Sequence, residues 1–256
     1  MLKSLTLLPE RIADPLVYPF SVPAIAALTH LNFHSRVTFF AGENGSGKST
    51  LLEAIALNYG LSLEGGNRNF AFEASLDRSD TSPLARALRL GFYPARTGEG
   101  FFFRAETLWN LATTIEDNGL LQGYGGISLH ARSHGETFFT VLDHKFRRSG
   151  LFLLDEPEAA LSPQRQLAFL ILIQQTLRDY KDAQFIISTH SPILLSLPGA
   201  QILSFDDGAI RPIDYRDTPA FVITRRFLDD PDSFLDELLR PEPTLFDGPI
   251  EGEVNS

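Results

Sequence analysis

Cysteine is absent from the 256 residues, and methionine and tryptophan occur once each. Without a thiol the chain can form no disulfide, run no thiolate chemistry and build no Cys-ligated zinc or iron–sulfur site. Positive charge is also short: 22 Lys and Arg stand against 32 Asp and Glu, for a net charge of −10. That balance argues against a surface that binds nucleic acid everywhere, and it leaves open a local basic patch and so a nucleic-acid partner. Long hydrophobic runs are missing too. The most apolar segment, residues 167–177, is interrupted by Gln174 and Gln175 and is far short of a bilayer span. The opening Met1-Leu2-Lys3-Ser4-Leu5 is soon broken by Pro9, Glu10, Arg11 and Asp14, too early for a signal peptide. A soluble, cytoplasmic protein with no integral membrane segment is expected.

What is present is apolar bulk. Hydrophobic residues make up 43% of the chain and Phe alone contributes 21, enough for one α/β domain with a small insertion. There is no internal repeat and no heptad run long enough for a coiled coil.

Val37-Thr38-Phe39-Phe40-Ala41 is β-branched and aromatic and predicts a buried strand. A helix is expected over 49–57, where Leu51, Leu52, Ile55 and Ala56 share a face. Between them lies Gly42-Glu43-Asn44-Gly45-Ser46-Gly47-Lys48-Ser49-Thr50, which satisfies G-x-x-x-x-G-K-[ST]. Glycines let successive backbone N–H groups turn in around a phosphate, and the helix N-terminus adds its positive dipole end. Lys48 would neutralise β/γ oxygens, Ser49 would ligate Mg²⁺ and Thr50 would reach the α-phosphate. A chance match is the plain alternative, and the strand before and helix after argue against it.

Leu151-Phe152-Leu153-Leu154 predicts a central parallel strand, covered on both faces and ending in Asp155-Glu156-Pro157. Such a strand end would deliver two carboxylates rigidly, Asp155 to a metal through water and Glu156 to the attacking water as general base. An acidic turn of no special function is the alternative for this stretch taken alone.

Further elements are expected as a helix over 83–90 inside an irregular β-rich arm over 60–100, a strand at 101–103, and helices over 108–116 and 136–146. A loop is expected over 119–126 between those last two helices. Ser162-Pro163 should open another helix, Phe185-Ile186-Ile187 form a strand, residues 202–211 a hairpin and 233–239 a short helix. The acidic tail, 241–256, is expected to be disordered.

The order of the phosphate loop, Ser133-His134-Gly135-Glu136, Leu151–Pro157 and Ser188-Thr189-His190-Ser191 resembles the ABC-type ATPase superfamily over most of the chain. That resemblance implies a P-loop NTPase with a central, mostly parallel sheet flanked by helices. It also implies an N-terminal antiparallel β portion and a helical signature region over about 105–148, all in one domain over 1–240. It implies that Ser133, Gly135 and Glu136 stand for the signature turn, which meets the γ-phosphate of nucleotide held by a second copy; His134 replaces a glycine there. His190 falls where the family places its switch histidine. Tyr18 or Phe20 occupies the zone of the adenine-stacking aromatic, with core packing the alternative for Phe20. Arg104 or Glu106 stands where a glutamine is usual, with a surface salt bridge as the alternative. Ser162 occupies the place of the aspartate that transporters carry. His30, His34 and His130 are read as structural.

The short stretch between Thr50 and Ser133 excludes the long coiled coil of SMC-like proteins. The motifs look more like the small soluble AAA-family ATPases beside OLD and RecF. ATP and Mg²⁺ are the expected ligands, with an ATP-dependent homodimer acting on a nucleic-acid or protein partner. A transporter ATPase subunit, or a nucleotide-gated binding module with little turnover, are the alternatives.

Overall fold

The computed structural model describes residues 1–61, 82–93, 99–124, 126–131 and 133–239. Most of the arm expected over 60–100, and all of the tail expected from 241, lie outside the described residues.

The chain opens with β1 (Leu2–Leu7), α1 (Pro23–Ala26), β2 (His30–Asn32), β3 (Val37–Ala41) and α2 (Lys48–Tyr59). A short helix, α3 (Pro83–Ala87), precedes β4 (Leu88–Phe92) and β5 (Glu99–Arg104), and helices α4 (Leu108–Asp117) and α5 (His134–Phe146) follow. Then come β6 (Gly150–Asp155), α6 (Pro163–Asp179), β7 (Gln184–Ser188), α7 (Pro192–Leu195), β8 (Gln201–Ser204) and β9 (Arg211–Pro212). Helices α8 (Pro219–Asp229) and α9 (Pro231–Leu238) are the last described elements.

Among the described residues six strands form one sheet in the order β5-β6-β7-β3-β8-β9, parallel except for β9. Side chains alternate across it, so neighbours in sequence feed opposite cores. Phe39, Phe101, Phe103, Phe152, Leu154 and Phe185 face one layer, with Ile115, Phe138, Phe146 and Phe169 from α4, α5 and α6. Phe40, Phe102, Leu151, Leu153 and Ile186 face the other, with α2 and the antiparallel sheet. Burial on both faces is why these strands read as continuous apolar runs. Much of the phenylalanine sits here: Phe146 lies 4.8 Å from Phe152 and 4.9 Å from Phe185, ring to ring.

The second sheet is antiparallel, in the order β2-β1-β4. It is tied to the first by Gln184, whose amide accepts from Leu2 N and donates to Leu2 O at 2.8 Å each. Helix α2 lies between this sheet and the parallel one, and its Leu51, Leu52, Ala54, Ile55 and Ala56 are all fully buried.

Five helix starts use one device. Ser82, Ser162, Ser191, Thr218 and Asp230 each accept a backbone N–H with a side-chain oxygen, and each precedes a proline. The cap satisfies an otherwise orphaned donor, while proline occupies a position whose N–H has no partner to lose.

The helix expected over 83–90 is a correction. It stops at Ala87, and Leu88–Phe92 is a strand paired with β1, with Leu5 opposite Leu90. Asn58 Nδ2 donates to Ala85 O and Leu88 O, at 2.9 and 2.8 Å, holding the chain where it changes direction. The pairing partner lies some eighty residues away in sequence, so local periodicity did not contain it. The loop expected over 119–126 also contains a 3₁₀ turn, Leu120–Tyr124.

Candidate functional site

Three neighbouring strand ends build the site. β7 separates β6 from β3, and Ser188 stands opposite both Asp155 and Phe40. The C-terminal edge of a parallel sheet therefore presents the phosphate loop, the two carboxylates and the His190 loop side by side, where open α/β sheets bind ligands.

The loop itself needs glycine. Gly42, Gly45 and Gly47 all have positive φ, and a Cβ on Gly47 would come within 3.0 Å of Val22. Lys48 is buried and its Nζ donates to Gly42 O and Glu43 O at 2.7 Å each, spanning the loop from inside. Burial holds its pKa below the usual lysine value, opposed by the charges of Glu156, Asp206, Asp155 and Glu43. Ser46 Oγ is buried without a hydrogen-bond partner. An orphaned hydroxyl, a cation resting on its own loop's carbonyls and a helix N-terminus fit an anion the size of a phosphate chain.

On β6, Asp155 is buried, and its Oδ1 accepts from Ser49 Oγ at 2.9 Å. Burial pushes its carboxyl pKa up, against the pull of Ser49 and Arg104. Two hard oxygen donors side by side suit Mg²⁺. Among the described residues no three His, Cys, Asp or Glu side chains could hold a metal by themselves, so a cation here would lean on phosphate oxygens and water. Glu156 adopts the left-handed region at φ 48, and its Oε1 lies 3.3 Å from His190 Nε2.

Arg104, at the end of β5, pairs with Glu53 at 2.6 Å and reaches Asp155 Oδ2 at 3.5 Å. Glu106 is mostly exposed and 3.8 Å from the same guanidinium. Of Arg104 and Glu106, Arg104 is therefore the one that reaches Asp155. Phe20 is buried in the core, whereas Tyr18 is 66% exposed and its hydroxyl lies 3.1 Å from Thr50 Oγ1. Of those two aromatics, only Tyr18 offers a free face beside the phosphate loop.

Ser133, Gly135 and Glu136 are brought together with one another rather than with the loop. Ser133 caps α5 in a capping box: its N and Oγ donate to Glu136 Oε2 at 2.8 and 2.7 Å. Gly135 lies against Arg165, whose Nη1 would be 1.8 Å from a Cβ there.

Two nearby carboxylates were missed as site residues. Asp206 Oδ1 accepts from Glu43 N at 2.9 Å and so holds the mouth of the phosphate loop; in sequence it reads only as the first residue of a turn. Glu53 carried no signal beyond its place on α2.

A family described as "AAA domain, putative AbiEii toxin, Type IV TA system" matches residues 128–196. A second, described as "AAA domain", matches 24–82. No curated protein matches the chain. Among solved structures, the SMC head domain from Thermotoga maritima is 16% identical, with 83% of this chain and 99% of that one covered at a TM-score of 0.48. CbiO1 from Clostridium perfringens, part of the ABC transporter complex cbiONQ, is also 16% identical, with 94% and 100% covered at 0.45. The two AAA-domain matches take in the phosphate loop after β3 and the acidic end of β6, on the parallel sheet of an α/β P-loop fold. Among the described residues no helix is long and apolar enough to cross a membrane.

Proposed function

We propose that the chain binds ATP with Mg²⁺ and hydrolyses it at a site completed by a second copy. The observation that carries this reading is the contiguity of Ser49 with Asp155 and of Glu156 with His190 on adjoining strand ends, directly beside the phosphate loop.

In this reading Gly42, Glu43, Asn44, Gly45, Ser46 and Gly47 wrap the β-phosphate with backbone N–H groups. Lys48 exchanges its two loop carbonyls for β/γ oxygens, and Thr50 reaches the α-phosphate. Ser49 and Asp155 hold Mg²⁺, which supplies charge neutralisation across the phosphates. Glu156 accepts the proton of the attacking water, and His190 fixes the carboxylate and senses the γ-phosphate. Tyr18 stacks on the adenine. Ser133, Gly135 and Glu136 reach the γ-phosphate bound by the partner copy, offering a hydroxyl and a helix N-terminus. That division of labour is the reason for a homodimer.

The work driven is read as remodelling of a nucleic-acid or protein partner, of a defence type. The toxin–antitoxin wording attached to the family that matches 128–196 supports that choice. Phosphate release by the wild type, its loss in Glu156→Gln, and pull-down of what the Glu156→Gln protein retains with ATP test the reading. A wild type that binds ATP tightly and releases no phosphate contradicts it.

A further inference from the structure

The turn after β6 and the loop after β7 are joined by more than their strands. Glu158 Oε1 accepts from Thr189 Oγ1 at 2.7 Å and from His190 N at 2.6 Å. Thr189 Oγ1 accepts in turn from Ser191 N at 3.0 Å. Ser191 Oγ donates to Gln166 Oε1 at 2.5 Å, and Gln166 Nε2 donates to Leu161 O at 3.2 Å. Leu161 N donates to Glu158 O at 2.9 Å, which closes the circuit. Thr189, Ser191 and Gln166 are buried. Two backbone bonds brace the ring: Glu156 N to Ser188 O at 2.9 Å, and Thr189 N to Phe40 O at 3.1 Å.

We infer that Glu158 is a positioning residue, which fixes His190 against Glu156 by closing this ring. The inference rests on the proposed ATPase reading for its consequence in turnover, and on geometry alone for its consequence in His190.

Two features set this carboxyl apart from a simple fold brace. The ring clamps the segment that begins with Glu156 in its left-handed conformation, which a non-glycine residue keeps only when its surroundings dictate it. In addition, Glu158 Oε2 is buried without a partner, and burial pushes the carboxyl pKa up. A carboxyl with a buried, idle oxygen is a poor choice for stability and a good one for holding two donors at a fixed point. The same ring reaches Leu161, the residue before Ser162, and so ties the turn after β6 to the His190 loop.

The test compares wild type, Glu158→Ala, Glu158→Gln and Thr189→Val. Turnover and ATP affinity are measured, together with the imidazole resonances of ¹⁵N-histidine-labelled protein without nucleotide, His190 being identified through His190→Ala. Glu158→Ala is expected to lower kcat roughly ten- to a hundredfold, with ATP affinity held within about twofold, and to move the His190 resonances. Glu158→Gln, which retains the acceptor oxygen, should restore most of both. Thr189→Val removes one donor and should act in the same direction, and it serves if Glu158→Ala does not fold. A Glu158→Ala protein that merely melts lower, with kcat and the His190 signal unmoved, overturns the inference. Absence of turnover in the wild type defeats the proposed function instead, and the His190 resonances then decide the clamp.

Discussion

His190 Nε2 and Glu156 Oε1 face each other across 3.3 Å, just past the ends of adjacent strands of the parallel sheet. The two side chains act on one water and one phosphate in the proposed mechanism, so their removal should not be additive. Glu156→Gln is expected to lower phosphate release on the order of 10²–10⁴-fold while ATP stays bound. Adding His190→Ala to it should lower turnover little further. Steady-state phosphate release by the two single variants and the double variant checks this.

Lys48→Ala should act on binding. Its ammonium spans Gly42 O and Glu43 O from inside the loop, the place where phosphate oxygens would enter. Losing a charge-assisted contact of about 1.5–3 kcal/mol should weaken ATP roughly ten- to a hundredfold or more. Titration with a fluorescent ATP analogue is the measurement, and the circular dichroism spectrum should be unchanged.

Much of this site could be read before any coordinates. The strand–loop–helix around Lys48 and the apolar run into Asp155 are local patterns, since a strand buried on both faces and a glycine loop each leave their mark in consecutive residues. The caps are as legible: Ser162-Pro163 marks a helix start, and by the same rule Thr218-Pro219 marks the start of α8. What local pattern could not supply was long-range. Leu88–Phe92 becomes a strand only because Leu2–Leu7 lies beside it. Asp206 reaches Glu43 and Arg104 reaches Glu53 through folding alone, and Glu158, visible in the sequence only as part of an acidic run, acquires its two donors from a loop some thirty residues on.

Lys145, on α5, should make stability depend on alkaline pH. Burial lowers its pKa from 10.5 to about 8, so the folded chain sheds this proton before the unfolded chain does. Below about pH 8 the ammonium is charged in both states and its burial is fully unfavourable. Between about 8 and 10.5 the unfolded state binds more protons, and stability rises with pH. Lys145→Met should therefore be more stable than wild type at pH 7, by about 1–3 kcal/mol, and the advantage should shrink towards pH 10.5. Urea unfolding of both proteins at pH 7 and pH 10 reads the difference.

Gly150, the first residue of β6, has no room for a side chain. A Cβ there would stand 2.3 Å from Glu99 O, a main-chain atom of the neighbouring β5. Because the obstacle is backbone within a ladder, Gly150→Ala must shift a strand that ends in Asp155. A loss of about 1–3 kcal/mol is expected, read from the urea midpoint.

The central claim is that two copies of the chain complete one hydrolytic site, with Lys48, Asp155 and Glu156 from one and Ser133 from the other. Light scattering on Glu156→Gln, with and without Mg²⁺ and ATP, tests it most directly. The account expects the mass to rise from 28.4 kDa to twice that value only with nucleotide, and to fall back when Ser133→Arg is added. A mass of 28.4 kDa in every nucleotide state would contradict it.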